Sequence, residues 1–141
     1  MKKILLSIIL CNMHAFACEH LDGHWKSDNA MSLAYNSTLE SLPKNKKEFI
    51  EQVFGYAEII HKGNAYHFLP LPTIEITIEG KNYPFFFEEV KVEGVIHECS
   101  SEKVIAEYPN GIGTAVMNFE GPDVYWVSPD GDWREYFVRI K

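Results

Sequence analysis

Cysteine and histidine, the side chains best suited to hold a soft metal or exchange electrons, gather at two places in this chain of 141 residues. Cys18, His20 and His24 lie at one, His97 and Cys99 at the other. Together they supply the nitrogen and sulfur ligands of tetrahedral zinc, yet C-x-H and H-x-C are not the spacings from which zinc sites are usually built. A disulfide between Cys18 and Cys99 is the second chemistry open to them. It would close a loop of about 80 residues and contribute about 4 kcal/mol on the chain-entropy model. A third use belongs to Cys18 alone. It directly follows Ala17, so it partly resembles the cysteine that receives a lipid anchor, although Phe16 is bulky for the position before that alanine.

Catalytic constellations are harder to find. Glu88 and Glu89 are neighbours, and neighbours on a strand point to opposite faces, so they cannot share a proton-transfer task. Asp130 and Asp132 flank Gly131 in a Pro-Asp-Gly turn, where turn chemistry accounts for both. Ser27 and Asp28 sit on no nucleophile elbow, and His97 loses its thiol partner if Cys99 is oxidised. The expectation is a protein that is not an enzyme and needs no cofactor.

Aromatic residues offer a different chemistry, that of binding. The chain holds three Trp, seven Tyr and nine Phe, more than a small core requires. Tyr83, Phe85, Phe86 and Phe87 form the densest run, and Tyr125 and Tyr136 lie in two more. Alternation sends Tyr83, Phe85 and Phe87 one way and Phe86 the other. The expected binding wall is therefore Tyr83, Phe85, Phe87, Tyr125 and Tyr136, with Pro84 loosening the strand beside it.

What must position these side chains can be read from the rest of the sequence. Lys2 and Lys3 precede the apolar stretch Ile4 to Leu10, and Ala15-Phe16-Ala17 supplies small residues for cleavage. Residues 1–17 thus read as a secretory signal peptide, with the apolar run far short of the roughly 20 residues of a membrane span. The expected location is the periplasm, or outside the cell. Cys11 leaves with the signal, and Cys18 and Cys99 remain as an even pair in an oxidising compartment. Residues 18–141 read as one domain.

One amphipathic helix stands out. Ser41-Leu42-Pro43 opens it, Phe49, Ile50, Val53 and Phe54 share a face, and Gly55 ends it. Nearly everything else alternates as β-structure. Ile74, Ile76 and Ile78 alternate with polar residues, Glu79-Gly80-Lys81-Asn82 is turn-like, and Tyr83, Phe85 and Phe87 resume the pattern. With a first strand over Trp25–Leu33, the chain carries about eight to ten short strands at turn-punctuated intervals of about 10 residues. The fold class is mainly β: an antiparallel up-and-down β-barrel, since meandering pairs and closure remove exposed edges. The one short helix falls between the first two strands. Lys+Arg 13 against Asp+Glu 20, a net −7, leaves no basic face for nucleic acid.

Gly23-His24-Trp25 at the start of the first strand resembles the G-x-W signature of the lipocalins and the wider calycin group. With this opening and an Arg near the C-terminus, the chain also looks like small bacterial periplasmic proteins of lipocalin-like type. The resemblance implies a barrel plugged at one end by Trp25, with a basic residue of the last strand packed across the indole: Arg139, or in second place Arg134. It also implies a small apolar ligand held inside. The runner-up is an inhibitor or immunity-type envelope protein that meets a protein partner through an acidic, aromatic surface around Phe86 and Glu88. The second alternative is zinc binding through the His/Cys cluster. Cavity volume separates the first two readings, because a ligand carrier needs an interior of several hundred Å³ and the runner-up predicts a filled barrel.

Overall fold

The computed structural model describes residues 18–141, so the expected signal peptide lies outside the described residues. A short 3-10 turn, Glu19–Leu21, leads into β1 (Gly23–Asp28). Helices α1 (Asn29–Asn36) and α2 (Lys44–Val53) follow before the chain returns to β2 (Glu58–Lys62) and β3 (Ala65–Phe68). The remaining strands are β4 (Leu71–Ile78), β5 (Lys81–Phe87), β6 (Val90–Glu93), β7 (Val95–Cys99), β8 (Lys103–Tyr108), β9 (Gly113–Phe119), β10 (Val124–Val127) and β11 (Glu135–Arg139).

Nine strands form one antiparallel sheet in the order β6-β3-β2-β1-β11-β10-β9-β8-β7, and β4 and β5 pair only with each other. The sheet curls into a nearly closed barrel whose two edges, β6 and β7, are consecutive pieces of chain joined at Gly94. Gly94 donates its N–H to the Asn64 carbonyl at 2.9 Å, and a Cβ there would collide with the Tyr108 ring. The barrel is therefore closed through the peptide chain itself and not by a ladder between β6 and β7. Alternation turns one face of each strand inward: Trp25 on β1, Ile59 on β2, Val104 and Ala106 on β8, Met117 and Phe119 on β9 and Phe137 on β11 belong to one buried cluster.

The expected barrel of antiparallel strands is what the chain forms, with two corrections. The first strand ends at Asp28 and does not run to Leu33, and the segment between β1 and β2 holds two helices in place of one. Asp28 caps α1 by accepting the Met31 N–H at 2.8 Å. The side chains that α1 buries are polar. Ser32 accepts the Tyr136 N–H at 3.0 Å, and Asn36 donates to the Arg134 carbonyl at 2.7 Å while accepting its N–H at 3.0 Å. A helix docked by amide and hydroxyl groups leaves no apolar stripe in the sequence. The second helix does show one: Ile50 and Val53 are buried, and Phe54 and Gly55 end the helix as its pattern predicts.

The β4–β5 hairpin covers α2, with Phe49 and Phe85 centroids 5.6 Å apart. Its loop is the two residues Glu79 and Gly80, both at positive φ (50° and 76°), the conformation of a type I′ turn.

Candidate functional site

One end of the barrel is stoppered. Trp25 is fully buried and donates its indole N–H to the Leu21 carbonyl at 2.8 Å. The Arg139 guanidinium lies over the indole, its carbon 4.2 Å from the ring centroid. Its N–H groups donate to the carbonyls of His20 (2.6 Å), Asp22 and Pro122 (3.1 Å), and Nε donates to Asp123 at 2.9 Å. Gly23 is required beside it: its φ is 145°, and a Cβ there would run into the guanidinium. Arg134 takes a different post outside the barrel, sandwiched between Tyr35 (4.1 Å) and Trp126 (3.7 Å).

The Cys18–Cys99 disulfide ties the same end shut, with Cα atoms 5.8 Å apart across a separation of 81 residues. His20 packs beside it, Nδ1 lying 3.5 Å from the Cys18 sulfur and 3.7 Å from that of Cys99. These three side chains converge, but the sulfurs are bonded to each other and not free to bind a metal. The same bond occupies the sulfur a lipid anchor would need. His24 and His97 do not join them. Each faces outward onto a carboxylate, His24 on Glu58 at 2.7 Å and His97 on Glu107 at 3.0 Å.

Above the plug the barrel is not filled. A cavity of about 300 Å³ is lined by Ile59 and His61 of β2, Tyr66 and Phe68 of β3, Tyr108 of β8, Ala115 and Met117 of β9, Tyr125 and Val127 of β10, and Glu135 and Phe137 of β11. Its mouth follows from the strand register. Strands β9 and β10 are paired only at Tyr125–Phe119 and Trp126–Asn118, beyond which they part. Ile112 and Val116 border this gap and are each 37% exposed.

The cavity's electrostatics are one-sided. Glu135 projects inward between Phe137 and the mouth, and Ser27 donates its hydroxyl to Glu135 Oε1 at 2.6 Å. Among the described residues Glu135 Oε2 has no hydrogen-bond partner, and no cation pairs with the carboxylate. Burial raises its pKa to about 7, offset in part by the Ser27 bond. His61 provides no compensating charge, because burial lowers its pKa to about 4 and its Nε2 lies 3.4 Å from the Tyr125 hydroxyl. The Tyr66, Tyr108 and Tyr125 hydroxyls are all held protonated by burial, Tyr108 with a pKa of about 12.

The expected binding wall is only partly here. Tyr125 lines the cavity, whereas Tyr83, Phe85 and Phe87 stand on the β4–β5 hairpin and do not. Tyr83 is 46% exposed, Phe85 covers Phe49 of α2, and Phe87 packs on the edge of the barrel's buried cluster and on Phe68, at 4.9 Å between centroids. Alternation shows that three rings share a face but not which body that face covers, and here it covers a helix. Tyr136 is likewise outside, between β11 and α1, where it packs near Tyr35 at 6.4 Å. Phe86 does face away from its neighbours, at 53% exposed. The residues that shape the cavity and went unread are His61, Tyr66, Tyr108 and Glu135. Glu135 was legible in one respect: it sits two residues before Phe137 on a strand whose inward face Arg139 also marks, so period two places it inside.

No protein family matches the chain, and no curated protein matches it.

Proposed function

We propose that this protein is a non-enzymatic binding protein of the bacterial envelope, a lipocalin-like barrel that shelters a small ligand with an aromatic or apolar body. The cavity carries this reading. It is about 300 Å³ in volume, closed below by Trp25 and Arg139 and open at the β9–β10 gap. Soluble-protein interiors are otherwise packed with few voids larger than a water molecule, so an opening of this size lined by aromatic rings favours occupancy by a ligand. It leaves room for roughly a dozen non-hydrogen atoms. A disulfide at the plugged end and a secretory leader in the sequence both suit an oxidising compartment outside the cytoplasm.

The test is titration with 2-naphthylmethanol, a neutral fluorophore of that size, followed by its emission. Saturable binding is expected in the natural chain, and it should disappear in Ala115→Trp, whose indole fills the cavity from β9. Equal binding by the two chains would place the probe elsewhere and overturn the reading.

A second reading has its own observation. Phe86 and Tyr83 are exposed on the hairpin at 53% and 46%, and Glu88 is exposed beside them. These residues suit a protein partner with a basic, apolar surface, the inhibitor or immunity-type role. Zinc binding would require reduction of Cys18–Cys99 first, after which His20 is the one histidine among the described residues placed to assist.

A further inference from the structure

The barrel interior carries one carboxylate and no positive group among the described residues. None of the elements around the cavity brings a cation to it, β9 supplying only the uncharged Thr114, Ala115, Val116 and Met117. From β1 comes Ser27, neutral, bonded to Glu135 Oε1. Strand β2 brings His61, β3 Tyr66, β8 Tyr108 and β10 Tyr125, and none of these side chains carries positive charge at neutral pH. The cations of β11 are turned away, Arg134 to Tyr35 and Trp126 outside and Arg139 to the plug.

The aromatic rings add a second, independent feature. Tyr66 and Tyr108 lie 4.7 Å apart, and Tyr125 stacks on Phe137 at 5.2 Å. These rings pack on one another and also line the cavity, where any part of a ring face left open to it attracts a cation within about 6 Å of the centroid. The Tyr66 and Tyr108 hydroxyls have no hydrogen-bond partner among the described residues and are not sealed from solvent, so each retains an acceptor lone pair. The Glu135 carboxylate and the Tyr66 and Tyr108 side chains border one space, and the carboxylate and the two hydroxyl oxygens favour positive charge there.

Resting on the binding role proposed above, we infer that the ligand is a small organic cation, an ammonium on an aromatic or apolar body. Its nitrogen pairs with Glu135 Oε2 and its body lies against Tyr66, Tyr108, Tyr125 and Phe137. An anionic ligand would face an uncompensated carboxylate. A neutral one would leave that group unpaired or protonated.

Three probes of one shape and different charge decide the matter: 2-naphthylmethylammonium, 2-naphthylmethanol and 2-naphthoate, each titrated into the full-length mature protein at pH 8 and pH 5.5. The ammonium keeps its charge across this range, and His61 stays neutral, so Glu135 is the cavity group that changes. The ammonium should bind at pH 8 and lose roughly tenfold or more in affinity at pH 5.5, the alcohol should change less than about twofold, and the naphthoate should not bind at pH 8. In Glu135→Gln the ammonium should lose its advantage over the alcohol at pH 8. Ammonium affinity that ignores both pH and this substitution, or naphthoate binding as tight as that of the ammonium, overturns the inference. Binding of the alcohol would then leave the binding role standing alone, whereas failure of all three probes removes both. The pH comparison uses the natural chain, so it decides even if Glu135→Gln does not fold.

Discussion

Arg139 and Trp25 are register partners on β11 and β1, and the guanidinium carbon of one lies 4.2 Å from the indole centroid of the other. The pair joins the first and last strands of the barrel at its closed end. Trp25→Ala should cost about 3–5 kcal/mol, because a fully buried indole leaves a cavity that its neighbours cannot fill. Arg139→Lys keeps the charge but loses the planar stack and most of the carbonyl bonds, and should cost about 1–3 kcal/mol. Urea unfolding of the two variants measures both. A Trp25→Ala midpoint equal to that of the natural chain would exclude a plug.

The disulfide should contribute about 2–5 kcal/mol, since it restrains an unfolded loop spanning 81 residues. Thermal unfolding with and without a dithiol reductant reads this directly, and Cys99→Ser should melt like the reduced natural chain. An unchanged melting temperature under full reduction would contradict it.

Asn36 is buried and makes two hydrogen bonds to the Arg134 backbone. Asn36→Leu leaves that N–H and carbonyl unsatisfied and should destabilise by about 2–4 kcal/mol, more than a surface change of the same size. Chemical denaturation followed by circular dichroism would show it as a lower midpoint.

Two buried groups oppose each other in the pH dependence of stability. Glu135, raised from 4.5 to about 7, binds its proton more tightly in the folded chain, so it makes stability fall as pH rises from about 4.5 to 7. His61, lowered from 6.5 to about 4, binds its proton less tightly when folded, so it makes stability rise from about pH 4 to 6.5. The two effects offset each other between about pH 4.5 and 6.5. Glu135→Gln should therefore expose a rise in stability over that window relative to the natural chain, and His61→Gln a fall. Unfolding free energies at pH 5 and pH 7 test the two signs.

Glu79 adopts positive φ in the hairpin loop, where Asn is favoured before Gly80. Glu79→Asn should stabilise by about 0.5–1 kcal/mol, since its backbone N–H, which donates to Glu48 at 2.7 Å, is retained. A lower melting temperature would show that the Glu79 side chain itself matters.

Most strands were legible because half-buried strands alternate, as Val104, Ala106 and Tyr108 do against Lys103 and Glu107. The plug was legible only through the resemblance of Gly23-His24-Trp25 to a lipocalin-type opening, which implies a basic residue of the last strand across the indole and so singled out Arg139. The α1 helix was not, because Ser32 and Asn36 dock it by hydrogen bonds, and hydrogen-bonding residues have no periodic hydropathy. The cavity was legible only at Tyr125. Its other walls come from strands far apart in sequence, so that Tyr66 and Tyr108 meet through the ring closure at Gly94 and through nothing local.

That closure also divides the molecule's motions. Strand β1 is laddered on both sides, to β2 and β11, so its amide protons should exchange with solvent only when the whole barrel unfolds. Strands β6 and β7 each have a partner on one side only, β3 and β8. Their amides should therefore exchange by local opening, ahead of those of β1, while Gly94, bonded to the Asn64 carbonyl and packed against the Tyr108 ring, is the covalent join that keeps the two edges together.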